Sequence, residues 1–264
     1  MEMCMFRINK SSSSFNFLIL FLVTFFTFTA LISCGGGGSG EFSSDNNIIT
    51  EAIIADHTTL NVDKISDDAI NEARSITMSL DHASVGVNIK NGMEDLKAID
   101  AEWYDYPNWD WHNRGNPGWK VKVDQFVAWV GDHENDYEVF QMKYCYIDTA
   151  AQWTYYRDAM LELEANYPDK IFIWWTMPIQ TTGRTDRDAF NKEIRNFCTI
   201  NGKPLYDIAD IESHNPSGIP ISEGGYEAMY SGYSDDGGHL NETGRLRAAK
   251  AMWWLMARLT GWTP

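Results

Sequence analysis

The sequence predicts an α/β domain in which a parallel sheet is covered by helices. Three observations predict it. Short β-rich runs alternate with helix-length segments from about residue 65 onward, the pattern of crossover connections. The run at 137–147 (YEVFQMKYCYI), rich in aromatic and other apolar residues, reads as a central strand. The 264 residues are 44% hydrophobic and 14% aromatic, enough for one good-sized core but hardly for two.

In order, 75–80 (SITMSL) is the first strand. It leads into a helix over 85–99, where Val85, Ile89, Met93 and Leu96 fall at helical spacing. A second short strand is expected at 101–106, then a loop rich in tryptophan, glycine and proline, then a helix over 121–130 with Phe126 and Val130 on one face. The strand at 137–147 is followed by a crossover helix at 153–166. The strand at 170–177 (KIFIWWTM) is stopped by Pro178 and followed by an amphipathic helix at 186–199. A last strand at 204–208 and a C-terminal helix at 242–259 complete the set, with Arg245, Arg247 and Lys250 outside that helix's apolar stripe. Five strands with flanking helices fit a three-layer α/β/α sandwich of flavodoxin-like order.

The N-terminus has a different character. Arg7 and Lys10 precede an uncharged stretch at 15–32 that ends in small residues, which is the pattern of an export signal. The stretch is about long enough to span a bilayer, so a retained anchor competes with a cleaved peptide. Leu31-Ile32-Ser33-Cys34 resembles the lipobox of bacterial lipoproteins. The resemblance implies removal of residues 1–33 and acylation of Cys34, hence an exported protein lipid-anchored to a bacterial membrane, the outer membrane favoured. Residues 34–64, with GGGGSG at 35–40, are expected to form a flexible tether, and 65–264 the folded domain.

A formal net charge of −16 with no basic block argues against nucleic acid and against a polybasic membrane face. Cys145 and Cys198 lie in the folded part, where they either pair or sit apart as buried thiols. No Cys/His pattern has zinc spacing, so neither metal nor cofactor is expected.

Ligands of open parallel sheets bind beyond the carboxyl ends of the strands. The first such place is Asp81-His82-Ala83-Ser84-Val85-Gly86, where Ser84 precedes a helix whose free N–H groups favour developing negative charge. Ser84 is read either as a nucleophile or as a helix cap. A second candidate is Asp235-Asp236-Gly237-Gly238-His239, where two glycines let the chain turn sharply directly before the C-terminal helix. A serine needs a base, and the base needs a partner that fixes its tautomer; His239 and Asp236 suit those roles.

In order and placement these residues resemble the SGNH (GDSL-type) hydrolase superfamily over roughly residues 65–264. The resemblance implies an esterase with Ser84 as nucleophile, His239 as base and Asp236 as its orienting partner. It also implies oxyanion donors from a Gly after the second strand and an Asn after the third. Gly118, or Gly115, is the candidate for the first. At the second, Asp148 stands where a neutral amide is expected, so it is protonated, or points elsewhere, or is replaced by Asn116 or Lys143. His82 is a substrate contact or a structural histidine. The aromatic loop containing Trp111 is either a sugar-stacking platform or part of the core. The expected substrate is thus a carboxylic ester, an acetylated glycan being favoured. The alternatives are a surface glycan-binding lipoprotein without efficient catalysis and a metal-dependent hydrolase using Asp81, His82, Asp148 and His239. His57, His133 and His214 are expected at the surface with no ligand role.

Overall fold

The computed structural model describes residues 51–264. The export signal, Cys34 and the first part of the tether lie outside the described residues.

Six parallel strands form the central sheet: β1 (Ile54–Ala55), β2 (Met78–His82), β3 (Trp109–Asn113), β4 (Val139–Met142), β5 (Ile171–Trp175) and β6 (Leu205–Tyr206). Their spatial order is β1-β6-β5-β4-β2-β3. The last five have the flavodoxin-like order expected. The sixth, β1, pairs parallel with β6 through Ile54–Leu205 and Ala55–Tyr206. The sheet therefore has six strands where five were expected. Residues 51–64, assigned from sequence to the tether, belong in part to the fold: Ile53, Ala55 and Val62 are buried.

Alternation along the strands divides the core in two. Met78, Leu80, Ile173, Trp175 and Tyr206 face one layer; Phe140, Phe172, Trp174 and Leu205 face the other. The first layer holds α1 (Asp67–Ser75), α2 (Val85–Ile99) and α8 (Glu242–Leu259). The second holds α4 (Trp119–Asp132), α5 (Trp153–Asn166) and α6 (Thr185–Asn201). Two short helices, α3 (Ala101–Tyr104) and α7 (Ile208–Ser213), follow α2 and β6. Outside the sheet, β7 (Ser222–Glu223) and β8 (Tyr226–Glu227) form a two-residue hairpin.

Residues 101–106, expected as a strand, begin instead with α3, because Asp100 caps it by accepting the Trp103 N–H at 3.0 Å. The edge strand is Trp109–Asn113, within the expected loop. Its period of two puts Trp109 (4% exposed) and Trp111 (7%) into the core, where Trp109 packs on Trp253 with ring centres 4.5 Å apart. Cys145 and Cys198 are both free and buried, which selects the unpaired alternative. No helix among the described residues is long and apolar enough to cross a membrane.

Candidate active site

The chain runs from β2 to β3 on one side and then crosses to β4 on the other, so the carboxyl end of β2 is the switch point where such sheets open a crevice. Ser84 lies there, between β2 and α2. It is the one non-glycine residue with positive φ among the described residues, at φ 56° and ψ −115°. Such a conformation costs about 1–3 kcal/mol and persists only where the surroundings enforce it. Gly86 permits the tight turn, since a Cβ there would stand 2.5 Å from the His82 side chain. Although Ser84 occupies the cap position of α2, its side chain makes no cap hydrogen bond. Its Oγ instead lies 2.8 Å from His239 Nε2. The Ser84 side chain therefore faces His239 and does not cap α2.

His239 arrives from the turn before α8. Gly237, at φ 83°, reverses the chain, and Gly238 passes so close to the Tyr146 ring that a Cβ would stand 2.8 Å from it. That ring stands edge-on to His239, with centres 5.5 Å apart. Asp236 Oδ2 lies 2.7 Å from His239 Nδ1, while Oδ1 accepts the backbone N–H groups of His239 (2.8 Å) and Gly238 (2.9 Å). The His239 N–H, the His239 ring and the Gly238 N–H hold the Asp236 carboxyl far below the usual carboxylate range. A carboxylate only accepts, so Nδ1 carries the proton and Nε2 turns its lone pair toward the serine. The His239 and Asp236 side chains are 42% and 58% exposed, leaving the arrangement open to solvent.

Helix packing sets this geometry. Ser84 precedes α2 and His239 precedes α8, and these helices touch along their lengths at Gly92, where a Cβ would stand 2.3 Å from the Arg245 carbonyl oxygen. Asn88 Oδ1 accepts the Leu240 N–H at 3.2 Å, and Arg245 grips Asp95 through two hydrogen bonds of 2.5 and 3.0 Å.

The remaining sequence candidates fall elsewhere. Asp148 points away: its Oδ2 takes the buried Lys122 ammonium and the Cys145 N–H (2.7 Å). Lys143 is buried and donates to the Ala83 carbonyl at 2.9 Å rather than into the crevice. Asn116 and Gly118 are exposed and neither is hydrogen-bonded to Ser84; Gly118 begins α4. His82 is buried, edge-on to Trp111, and burial together with the Lys143 charge lowers its pKa to about 4, so the ring is neutral. Trp111, as part of the core, offers no platform for a sugar.

Asp81, His82, Asp148 and His239 do not converge as a metal site: Asp81 bonds His112 at 2.5 Å, and Asp148 and His239 have the partners described above. The group that does converge among the described residues is His57, Asp210 and His214, of which the two histidines were expected at the surface with no ligand role. Both rings approach Asp210, but they stack 3.6 Å apart within 6° of parallel. No single ion can lie in both ring planes, so the pair as arranged shares a carboxylate rather than a metal.

Sequence reading missed Arg114. Its buried guanidinium lies 3.7 Å from Asp81 Oδ2 and donates to the Lys143 carbonyl at 2.5 Å, joining the ends of β2, β3 and β4. A cation directly after a strand in a crevice-forming fold was the available signal.

No family model matches the chain, and no curated protein matches it. Among solved structures, a similar one is a Desulfitobacterium hafniense protein assigned to the G-D-S-L lipolytic family, at 9% identity and a TM-score of 0.47, covering 68% of this chain and 99% of that one.

Proposed function

We propose that the domain is a serine hydrolase of carboxylic esters that works through an acyl-enzyme. The observation that carries this reading is the continuous relay from Ser84 Oγ through His239 to Asp236, with the serine held in a strained turn and released from capping. His239 Nε2 takes the hydroxyl proton as Oγ attacks the ester carbonyl, then returns it to the departing alcohol. Water, activated by the same nitrogen, releases the acid. The developing oxyanion falls to the Ser84 N–H, which has no acceptor among the described residues, at the positive end of α2. Because Asp148 is neutralised by Lys122, its negative charge does not oppose the oxyanion.

An open site with a solvent-facing histidine favours a short acyl group on a bulky alcohol over a long chain needing an apolar channel. The net charge of −16 favours a neutral substrate. Both support an acetylated, uncharged glycan. With Trp109 and Trp111 in the core, the motive for a purely sugar-binding module is reduced, and the relay favours catalysis. We further propose, on the sequence of residues 1–34, export and lipid anchoring at Cys34.

The test is hydrolysis of an activated acetyl ester and acetate release from acetylated xylan, with and without EDTA. Turnover indifferent to EDTA and abolished in Ser84→Ala is expected. Turnover that survives Ser84→Ala, or that EDTA removes, contradicts the reading.

A further inference from the structure

Directly beneath the nucleophile lies a charge that the relay does not use. Lys143 follows the last residue of β4 and is wholly buried. Its ammonium donates to the Ala83 carbonyl at 2.9 Å and lies 3.9 Å from Cys145 Sγ, and among the described residues it has no carboxylate in salt-bridge contact. A buried ammonium without a counter-ion opposes folding, and packing alone would be served as well by methionine.

The acceptor explains its presence. The Ala83 carbonyl and the Ser84 N–H are the two ends of one peptide group. The carbonyl end takes two donors, Lys143 Nζ and the Gly86 N–H at 3.0 Å; the N–H end is unpartnered among the described residues. Hydrogen bonds to a carbonyl polarise the amide and strengthen its N–H as a donor. They also fix the plane of a peptide whose following residue is held at φ 56°.

We propose that Lys143 is a positioning residue of the hydrolase, polarising and orienting the Ala83–Ser84 peptide so that its N–H receives the oxyanion. This rests on Ser84 being the nucleophile. It places behind the oxyanion donor a cation whose effect is transmitted through one peptide group.

The charge is titratable. Burial lowers the pKa of Lys143 to about 8, helped by Arg114 from the loop after β3 and Lys122 from α4, and opposed by Cys145 and by Glu212 from α7. His82 on β2 also faces it and is neutral. Glu212 is itself buried and pushed up to about 8. The ammonium is therefore present below about pH 8 and lost above it. Loss of its proton should lower kcat on the alkaline side, where a mechanism limited by His239 alone would stay level.

The experiment is kcat and KM for 4-nitrophenyl acetate against pH, on the full chain and on Lys143→Met, Lys143→Arg, Glu212→Gln and Ser84→Ala. The wild type is expected to show an alkaline fall in kcat. In Lys143→Met, kcat should drop about 10–100-fold with KM little changed, and the alkaline fall should vanish. Lys143→Arg should restore part of kcat without the fall, and Glu212→Gln should move the fall to lower pH. A level alkaline limb in the wild type, which needs no variant to fold, overturns the proposal. So does a folded Lys143→Met that keeps both the wild-type kcat and the limb. Turnover in Ser84→Ala instead overturns the nucleophile assignment itself.

Discussion

Ser84, His239 and Asp236 form a relay in which each atom has one available role. Because Asp236 is held so far below the ordinary carboxylate range, it keeps its charge as pH falls. On the proposed mechanism, the acid limb of kcat/KM should therefore follow uptake of one proton and not two. Asp236→Asn should lower kcat by about 10²–10⁴-fold, since the amide no longer holds Nδ1–H in place. A pH-rate series on both proteins checks this; a limb needing two protons contradicts it. These three residues were legible in the sequence because the end of the first expected strand and the start of the last helix can be placed from pattern alone. Asp148 was legible only as a problem. Its resolution, Lys122, lies on α4 and carries no local signal of pairing with a residue beyond the next strand. Lys143 could be picked out as polar at a strand end, but the direction in which it donates is a property of packing.

At the scale of elements, the contact between α2 and α8 joins the two halves of the relay. Gly92→Ala places a methyl 2.3 Å from the Arg245 backbone carbonyl, so the helices must part. The expected cost is about 1–3 kcal/mol of stability. Thermal melting should register the loss, and kcat should fall with it because Ser84 and His239 separate. An unchanged melting temperature and kcat would show that the approach of the helices does not set the site. The longer helices were readable from their apolar spacing. The segment at 101–113 was not: Asp100 caps a four-residue helix where a strand was expected, and the alternation of Trp109 and Trp111 lay inside a stretch that Pro107 and its aromatic neighbours made look like a loop. The same misreading turned core tryptophans into candidate sugar contacts.

For the molecule as a whole, the sheet closes with a strand too short to announce itself. β1 contributes two residues, yet it covers the edge of β6, and Ile53, Ala55 and Val62 are buried nearby. Deleting residues 51–64 should destabilise the domain by about 3 kcal/mol or more, given the apolar side chains uncovered, and urea unfolding of the two lengths measures it. Equal midpoints would return this segment to the tether. The whole fold is also what creates the relay, because its serine and histidine are 155 residues apart in sequence. The most direct test of the account is labelling of the native and the urea-unfolded chain with a fluorophosphonate, followed by peptide mass mapping. The account predicts a single adduct, on Ser84, in the native protein, absent after unfolding and strongly slowed in His239→Ala. A native protein that takes no adduct, or takes it elsewhere than Ser84, would contradict it.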